Sequence, residues 1–334
     1  MVTILIFGLL FGFLMQYGKV NRNDVISGMA TLEDFTVIKT IGLAIGIGII
    51  ILGLEIGLGL ASFHVKPLIL GGIILGGLLF GFGMAILGYC PGTLAISLGE
   101  GSIDAFVGII GGLIGGLVFT LLLPFIGNFL GPNYGSISLN SLMGTNSLYY
   151  ILITFIGLLM IVLAFWINKK ESTKSDSKWV VTGIGLGILN PIVFLSITTN
   201  RPIGASTSFP YLADLLSGIT NNDYFAKIET PGNWELIFLS GAFIAALLIS
   251  LIKKEFKFTL IYSRWEYYKG SSAIKRIIWA FIGGFILVFG ARMAGGCTSG
   301  HILSGGMQIA VSSMIFAIFT FVGLLAMGKL FYHK

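Results

Sequence analysis

Nine stretches of this chain are too apolar to remain in water, and they constrain the fold more than any motif does. They are residues 2–17, 36–60, 68–88, 103–126, 148–167, 179–198, 233–252, 275–293 and 308–331. Each approaches or exceeds the roughly 20 residues that carry a helix across hydrocarbon. They are continuous runs, so hydropathy rather than an amphipathic period identifies them. Backbone groups inside a bilayer must be satisfied within the segment, and the run lengths suit helices. The expected fold is an all-α integral membrane protein with about nine transmembrane helices. Charged residues make up 10% of the chain, whereas soluble domains carry roughly 25%. The 48 glycines follow no collagen-like period and fit close helix contacts in a membrane. Residues 1–17 lack a basic leading region and a small-residue cleavage site, so they read as a first span rather than a removable signal.

The basic residues sort by joint. Lys19, Arg22, Lys39, Lys169, Lys170, Lys174, Lys178, Lys253, Lys254, Lys257, Arg264, Lys269, Lys275, Arg276, Lys329 and Lys334 fall on one side if nine spans alternate, which is 16 of the 20. Lys66 and Lys227 fall on the other side, and Arg201 and Arg292 sit beside glycine-rich breaks. The positive-inside rule then puts the C-terminus in the cytoplasm and the N-terminus outside. This distribution accounts for the net charge of +6 without a nucleic-acid partner, and no basic patch is interleaved with aromatics. Trp265, Tyr267 and Tyr268 in a basic joint read as an interfacial belt.

Two segments, 89–102 and 294–307, are too apolar for free loops and too short for spans, so they read as re-entrant. Each holds one of the two cysteines: Gly88-Tyr89-Cys90-Pro91-Gly92-Thr93 and Gly295-Gly296-Cys297-Thr298-Ser299-Gly300. Pro91 suits the first turn of a helix, where its missing N–H costs nothing. The expected half-helices run over about 91–100 and 298–304, and their N-termini favour an anion. Thr298, Ser299 and His301 supply hydroxyls and an imidazole in place of the proline. Two such ends meeting at the centre would form an anion constriction with two sulfurs. The glycine settings favour free thiols over a disulfide. The competing reading is that a membrane cysteine is a small buried hydrophobe, and that His301 only packs or caps.

The order of spans and motifs repeats. Spans one to four, ending in a cysteine motif, a short segment and a glycine-rich helix, match spans six to nine, with span five left over. That predicts an inverted repeat over 1–130, a connector helix and linker over 145–178, and a second repeat over 179–334, an architecture known for transporters. The run Arg201-Pro202-Ile203-Gly204-Ala205-Ser206-Thr207 offers a cation, a stiff proline, a flexible glycine and the hydroxyls of Ser206 and Thr207 before a short helix. It reads as an anion port or as an arginine snorkelling to headgroups. Arg292 precedes the second cysteine motif at membrane depth. Glu55, Glu100 and Asp104 are ionisable groups in or near spans, each also able to reach an interface. Lys227 reads as part of an ordinary polar joint. No His/Cys spacing suits a structural metal, and no cofactor is implied.

The segments Gly88–Thr93, Arg201–Thr207 and Ala291–Gly306, with Phe11–Gln16 at the start, resemble the YeeE/YedE family of sulfur transporters over the whole chain. The resemblance implies a bacterial inner-membrane hourglass that imports thiosulfate. The ion is handed along cysteines by transient S–H···S hydrogen bonds, and the protein is a transporter and not an enzyme. Cys90 and Cys297 match two family cysteines. The family's first cysteine falls a few residues after Gln16, where this chain has Gly18-Lys19-Val20-Asn21-Arg22, and Asn21 stands at the missing thiol. An amide can donate to a sulfur or oxygen but cannot exchange sulfur. The departure leaves two readings open: another sulfur or selenium species, or a relay completed by an amide. The resemblance also implies a separate cytoplasmic partner, a TusA-like sulfurtransferase, and no such domain is fused before Lys334. A membrane thiol–disulfide protein using Cys90 and Cys297 is the competing class.

Overall fold

The computed structural model describes residues 1–171 and 176–333. Of the basic residues counted above, Lys174 and Lys334 lie outside the described residues. The helices are α1 (Val2–Tyr17), α2 (Asn23–Ala30), α3 (Thr36–Gly57), α4 (Leu70–Leu87), α5 (Pro91–Gly99), α6 (Ile103–Ile126) and α7 (Leu139–Met143). They continue with α8 (Ser147–Lys170), α9 (Lys178–Phe194), α10 (Ser208–Ser217), α11 (Asp223–Ile252), α12 (Ser263–Lys269) and α13 (Ala273–Met293). A π-helix, π1 (Thr298–Gly305), precedes α14 (Val311–Phe331). Seven helical stretches among the described residues are long and apolar enough to cross a membrane; α1 and α9 are apolar but shorter, at 16 and 17 residues. These nine correspond to the nine apolar runs. The protein is an all-helical, multi-pass membrane protein.

Helix ends gather on two faces. On one, the chain before α4 meets the chains before α8, after α9 and before α14: Leu68 N donates to Gly135 O (2.8 Å), Ser196 N to Leu60 O (2.9 Å), and His64 N to the Gln308 side chain (2.6 Å). On the other, Ile103 N donates to Thr259 O (2.8 Å), Arg264 N to Asp24 (3.1 Å), and Phe35 N to Glu171 (2.9 Å). The bulk of the described basic residues belong to this second face.

Glycines bring the crossing helices together. A Cβ added at Gly12 of α1 would lie 2.7 Å from the Ala242 Cα of α11, and one at Gly115 of α6 would lie 2.5 Å from the Phe285 oxygen of α13. Without a hydrophobic drive between helices in lipid, such backbone approach supplies the packing. The pairings occur in matched sets: α1 packs on α11 and α9 on α3, while α6 packs on α13 and α14 on α4. α8 packs mainly on α3 and turns Ile151, Phe155 and Val162 outward, toward where hydrocarbon would lie.

Two expectations are corrected. The joint between the runs 179–198 and 233–252 is largely helical: α10 is the short helix expected after Thr207, but α11 already begins at Asp223, capped by Asn222, whose side chain accepts from Phe225 N (2.7 Å). Its first turns carry Asp223, Lys227 and Glu229, so hydropathy hides a helix that buries Phe225 and Ile228 on one side. Trp265 is not interfacial. It is buried beneath the Arg276 guanidinium, 4.6 Å from its ring centroid, while Tyr267 stays exposed.

Candidate functional site

Each cysteine follows a helix that ends at a left-handed glycine, Gly88 (φ 79°) and Gly295 (φ 76°), each two residues before its thiol. A side chain resists that conformation, so both helices stop there. The carbonyls freed at the end of α4 would be costly in hydrocarbon. Arg276 donates to Ile86 O (3.3 Å) and Leu87 O (2.7 Å), and Asn23 also donates to Leu87 O (2.9 Å). Arg276 is in turn paired with Asp104, which also accepts from Tyr89 (3.1 Å) and Ser102 (2.7 Å). Asp104 is therefore a buried structural partner and does not reach an interface.

Cys90 is the N-cap of α5, with Pro91 at the first helical position. Thr93 Oγ1 accepts from Cys90 N (2.9 Å) and lies 3.0 Å from Cys90 O and 3.5 Å from Cys90 Sγ, either of which can take its proton. Cys297 is the N-cap of π1 and is buried, its Sγ 3.2 Å from Ser299 Oγ. π1 is held from behind. His301 contacts Ala294 O through Nε2 (2.8 Å) and Ser313 Oγ through Nδ1 (3.0 Å), and stacks on Phe316. The half-helices expected over 91–100 and 298–304 are both present, the second as a π-helix, a form concentrated at functional sites. Both cysteines are free thiols.

Two cavities border the N-terminus of π1. One, about 50 Å³ and apolar, is lined by Met15, Met84, Cys90 and Thr93 and reaches Thr298 and Ser299; Gly92 also borders it. The other, about 240 Å³, is lined by Lys66, Arg201, Lys227 and Arg292, with Glu235, and ends at Cys297. Among the described residues none of these four cations has a carboxylate within ion-pair distance. Arg292 instead donates to Ser206 Oγ (3.1 Å), Thr207 Oγ1 (3.1 Å) and the Tyr224 hydroxyl (2.8 Å).

The structure thus brings Cys90, Gly92, Thr93, Thr298 and Ser299 to the apolar cavity and Cys297, Arg201, Ser206, Thr207 and Arg292 to the cationic one. Pro91 borders a separate apolar groove against α11. His301 and Asn21 line neither cavity. The Asn21 amide donates to Glu100 (2.8 Å) and Ser97 (3.2 Å), and its buried Oδ1 has no hydrogen-bond partner among the described residues. Lys227 is not in an ordinary polar joint; it lines the same cavity as Arg201. Sequence reasoning passed over Lys66, Glu235 and Asn190. Lys66 stands alone as a cation between α3 and α4, and Glu235 and Asn190 are polar residues inside apolar helices, which was the available signal. Asn190 Oδ1 accepts from Ile203 N (3.2 Å) and Ser304 Oγ lies 3.0 Å from Ile203 O, tying the 201–207 segment to π1.

Comparison with known proteins identifies relatives along the whole chain. The chain is 26% identical to the thiosulfate transporter TsuA of Spirochaeta thermophila over 99% of both chains. It is 22% identical to TsuA of Escherichia coli over 99% of this chain and 94% of the other. The family described as sulphur transport matches residues 17–326, and the chain belongs to that family, the one its cysteine motifs resemble.

Proposed function

We propose that this protein imports thiosulfate. The observation that carries the reading is the cationic cavity: Lys66, Arg201, Lys227 and Arg292 surround a space that ends at the Cys297 thiol, without carboxylate partners among the described residues. A small dianion with one sulfur end suits such a site, since cations attract the charge and a thiol is a weak donor to sulfur. Both relatives named above carry thiosulfate in their names.

The charge distribution supports placing the cationic cavity outside and the basic face in the cytoplasm of a bacterial inner membrane. The ion enters among the cations and gives up water to the Ser206 and Thr207 hydroxyls and the Arg292 guanidinium. It passes Cys297 and the hydroxyls of Thr298 and Ser299, then meets Cys90 and Thr93 in the apolar cavity. Hydrogen bonds move the intact ion; no bond is broken, so no catalytic residue is required. The layer from Cys297 to Ser299 is the constriction. Matched pairings of α1 on α11 with α9 on α3, and of α6 on α13 with α14 on α4, support two inverted repeats over 1–130 and 179–334, with α8 as the connector. Asn21, locked to Glu100 and Ser97 at the far end of α5, borders the cytoplasmic exit, where a TusA-like sulfurtransferase would receive the ion.

Uptake of labelled thiosulfate into proteoliposomes, with growth on thiosulfate as sole sulfur source, tests the reading. Saturable uptake supports it, and absence of both uptake and growth refutes it.

A further inference from the structure

The cationic cavity is lined by one carboxylate, Glu235, and among the described residues it forms no direct ion pair with the cations. It sits on the N-terminus of α10 instead. Oε2 accepts from Thr207 N (2.5 Å) and Ser208 N (3.3 Å), and Oε1 accepts from Thr207 Oγ1 (3.0 Å). Thr207 Oγ1 also accepts from Arg292 Nη1 (3.1 Å), so a hydroxyl stands between the guanidinium and the carboxylate. Gly204 leaves the room: a Cβ there would collide with Glu235 Oε1. Free N–H groups at a helix N-terminus are themselves an oxyanion site. Here they open beside a nine-tenths-buried arginine whose hydroxyl partners face the substrate space.

We infer that Glu235 is a resident anion and a specificity-determining residue, occupying the oxyanion site at α10 so that a passing anion cannot lodge there. The inference rests on the reading of the cavity as a thiosulfate entrance. Sulfate has the same charge and overall shape as thiosulfate but no sulfur end for Cys297. With the α10 amides covered, oxygen recognition is left to Ser206, Thr207 and the cations, and the sulfur end decides onward passage. With the amides uncovered, any divalent oxyanion would bind and stay. Glu235 also lowers the lining charge from four cations to a net of three, which favours release toward Cys297.

The test uses Glu235→Gln in proteoliposomes, with sulfate as competitor and the purified protein's melting temperature as the folding check. The expected result is a KM for thiosulfate about tenfold lower with kcat reduced, and sulfate inhibition about tenfold stronger, the size of one charge-assisted contact. A merely structural cap would lower the melting temperature and leave KM and the sulfate preference unchanged. Glu235→Asp is the second variant. It keeps the charge but withdraws from the amides, so sulfate inhibition strengthens with a smaller change in KM. An unchanged thiosulfate-to-sulfate preference in whichever variant folds overturns the inference, as does failure of both to fold. If the wild-type protein takes up no thiosulfate, the entrance reading fails instead. Titration of purified wild type and Glu235→Gln with sulfate needs no transport and still decides the role of Glu235.

Discussion

The two cysteine segments begin alike and end differently. Both follow a left-handed glycine, and both place the thiol at the N-cap of a half-helix. The Cys90 segment is held by its own chain: Pro91 starts an α-helix and Thr93 closes a reciprocal cap with Cys90. It opens onto an apolar space with Met15 and Met84. The Cys297 segment has no side-chain cap and winds as a π-helix. Its shape is imposed from outside, by His301 against Ala294 and Ser313 and by Ser304 against the 201–207 segment. It opens onto cations. The difference teaches that one motif can be used twice, with the charge-reading work assigned to the copy whose surroundings supply it.

The comparison breaks first at the thiols. Cys90→Ala and Cys297→Ala are both expected to abolish uptake in folded protein. They should differ in binding: Cys297→Ala weakens thiosulfate binding to the purified protein, whereas Cys90→Ala leaves entry-side binding near wild type. Identical binding losses would show that the two segments do not act in sequence.

Next come the cations. Arg292→Gln removes a guanidinium that touches Ser206, Thr207 and Tyr224. Losing a contact to a charged group is worth about 1.5–3 kcal/mol, so the thiosulfate Kd should weaken about tenfold or more. Arg201→Ala should cost more than Lys227→Ala, because Arg201 belongs to the segment that π1 holds while Lys227 stands on the exposed first turns of α11. Calorimetric titration of the three variants ranks them, and equal Kd values would remove Arg201 from the site.

The third prediction concerns the externally held segment. His301→Phe keeps a ring on Phe316 but loses the contacts to Ala294 O and Ser313, leaving a buried carbonyl and hydroxyl unsatisfied. The expected destabilisation is about 1–3 kcal/mol, read as a lower melting temperature with thiosulfate Kd changed far less than in Arg292→Gln. Loss of binding with unchanged stability would return His301 to the pathway.

The smallest effect is on pH. Lys66 lies between α3 and α4, outside the spanning helices. Burial, and then the Arg292 guanidinium, push its ammonium below the ordinary lysine range. A lowered value means that the positive charge is lost as pH rises through a value below that of an ordinary lysine. Thiosulfate binding should therefore weaken on the alkaline side before ordinary lysines titrate, and Lys66→Arg should remove that limb. A pH profile unchanged by Lys66→Arg would exclude Lys66 as its source.

Much of the fold was legible because its signals are local. Gly88 and Gly295 take the left-handed conformation just past the end of a helix, and Pro91 starts one. The first third of α11 was missed because Lys227 and its charged neighbours lower the hydropathy of a helix that still buries Phe225 and Ile228. Asn21 was read as a donor to substrate, but its donors go to Ser97 and Glu100, contacts made across 76 and 79 residues that no local pattern encodes.

The sequence by itself determined that the chain crosses a membrane, that it breaks twice at glycine beside a thiol, and that Arg201, Ser206 and Thr207 share one turn. Those properties follow from hydropathy and backbone sterics over a few residues. Only the tertiary structure decided that Lys66, Lys227 and Arg292, from three distant segments, would face one cavity. It also decided that Glu235 would sit on backbone amides rather than on those cations. The physical reason is that a charge is paired by distance in space: helix packing places Thr207 between Arg292 and Glu235, and the cations are left for the anion.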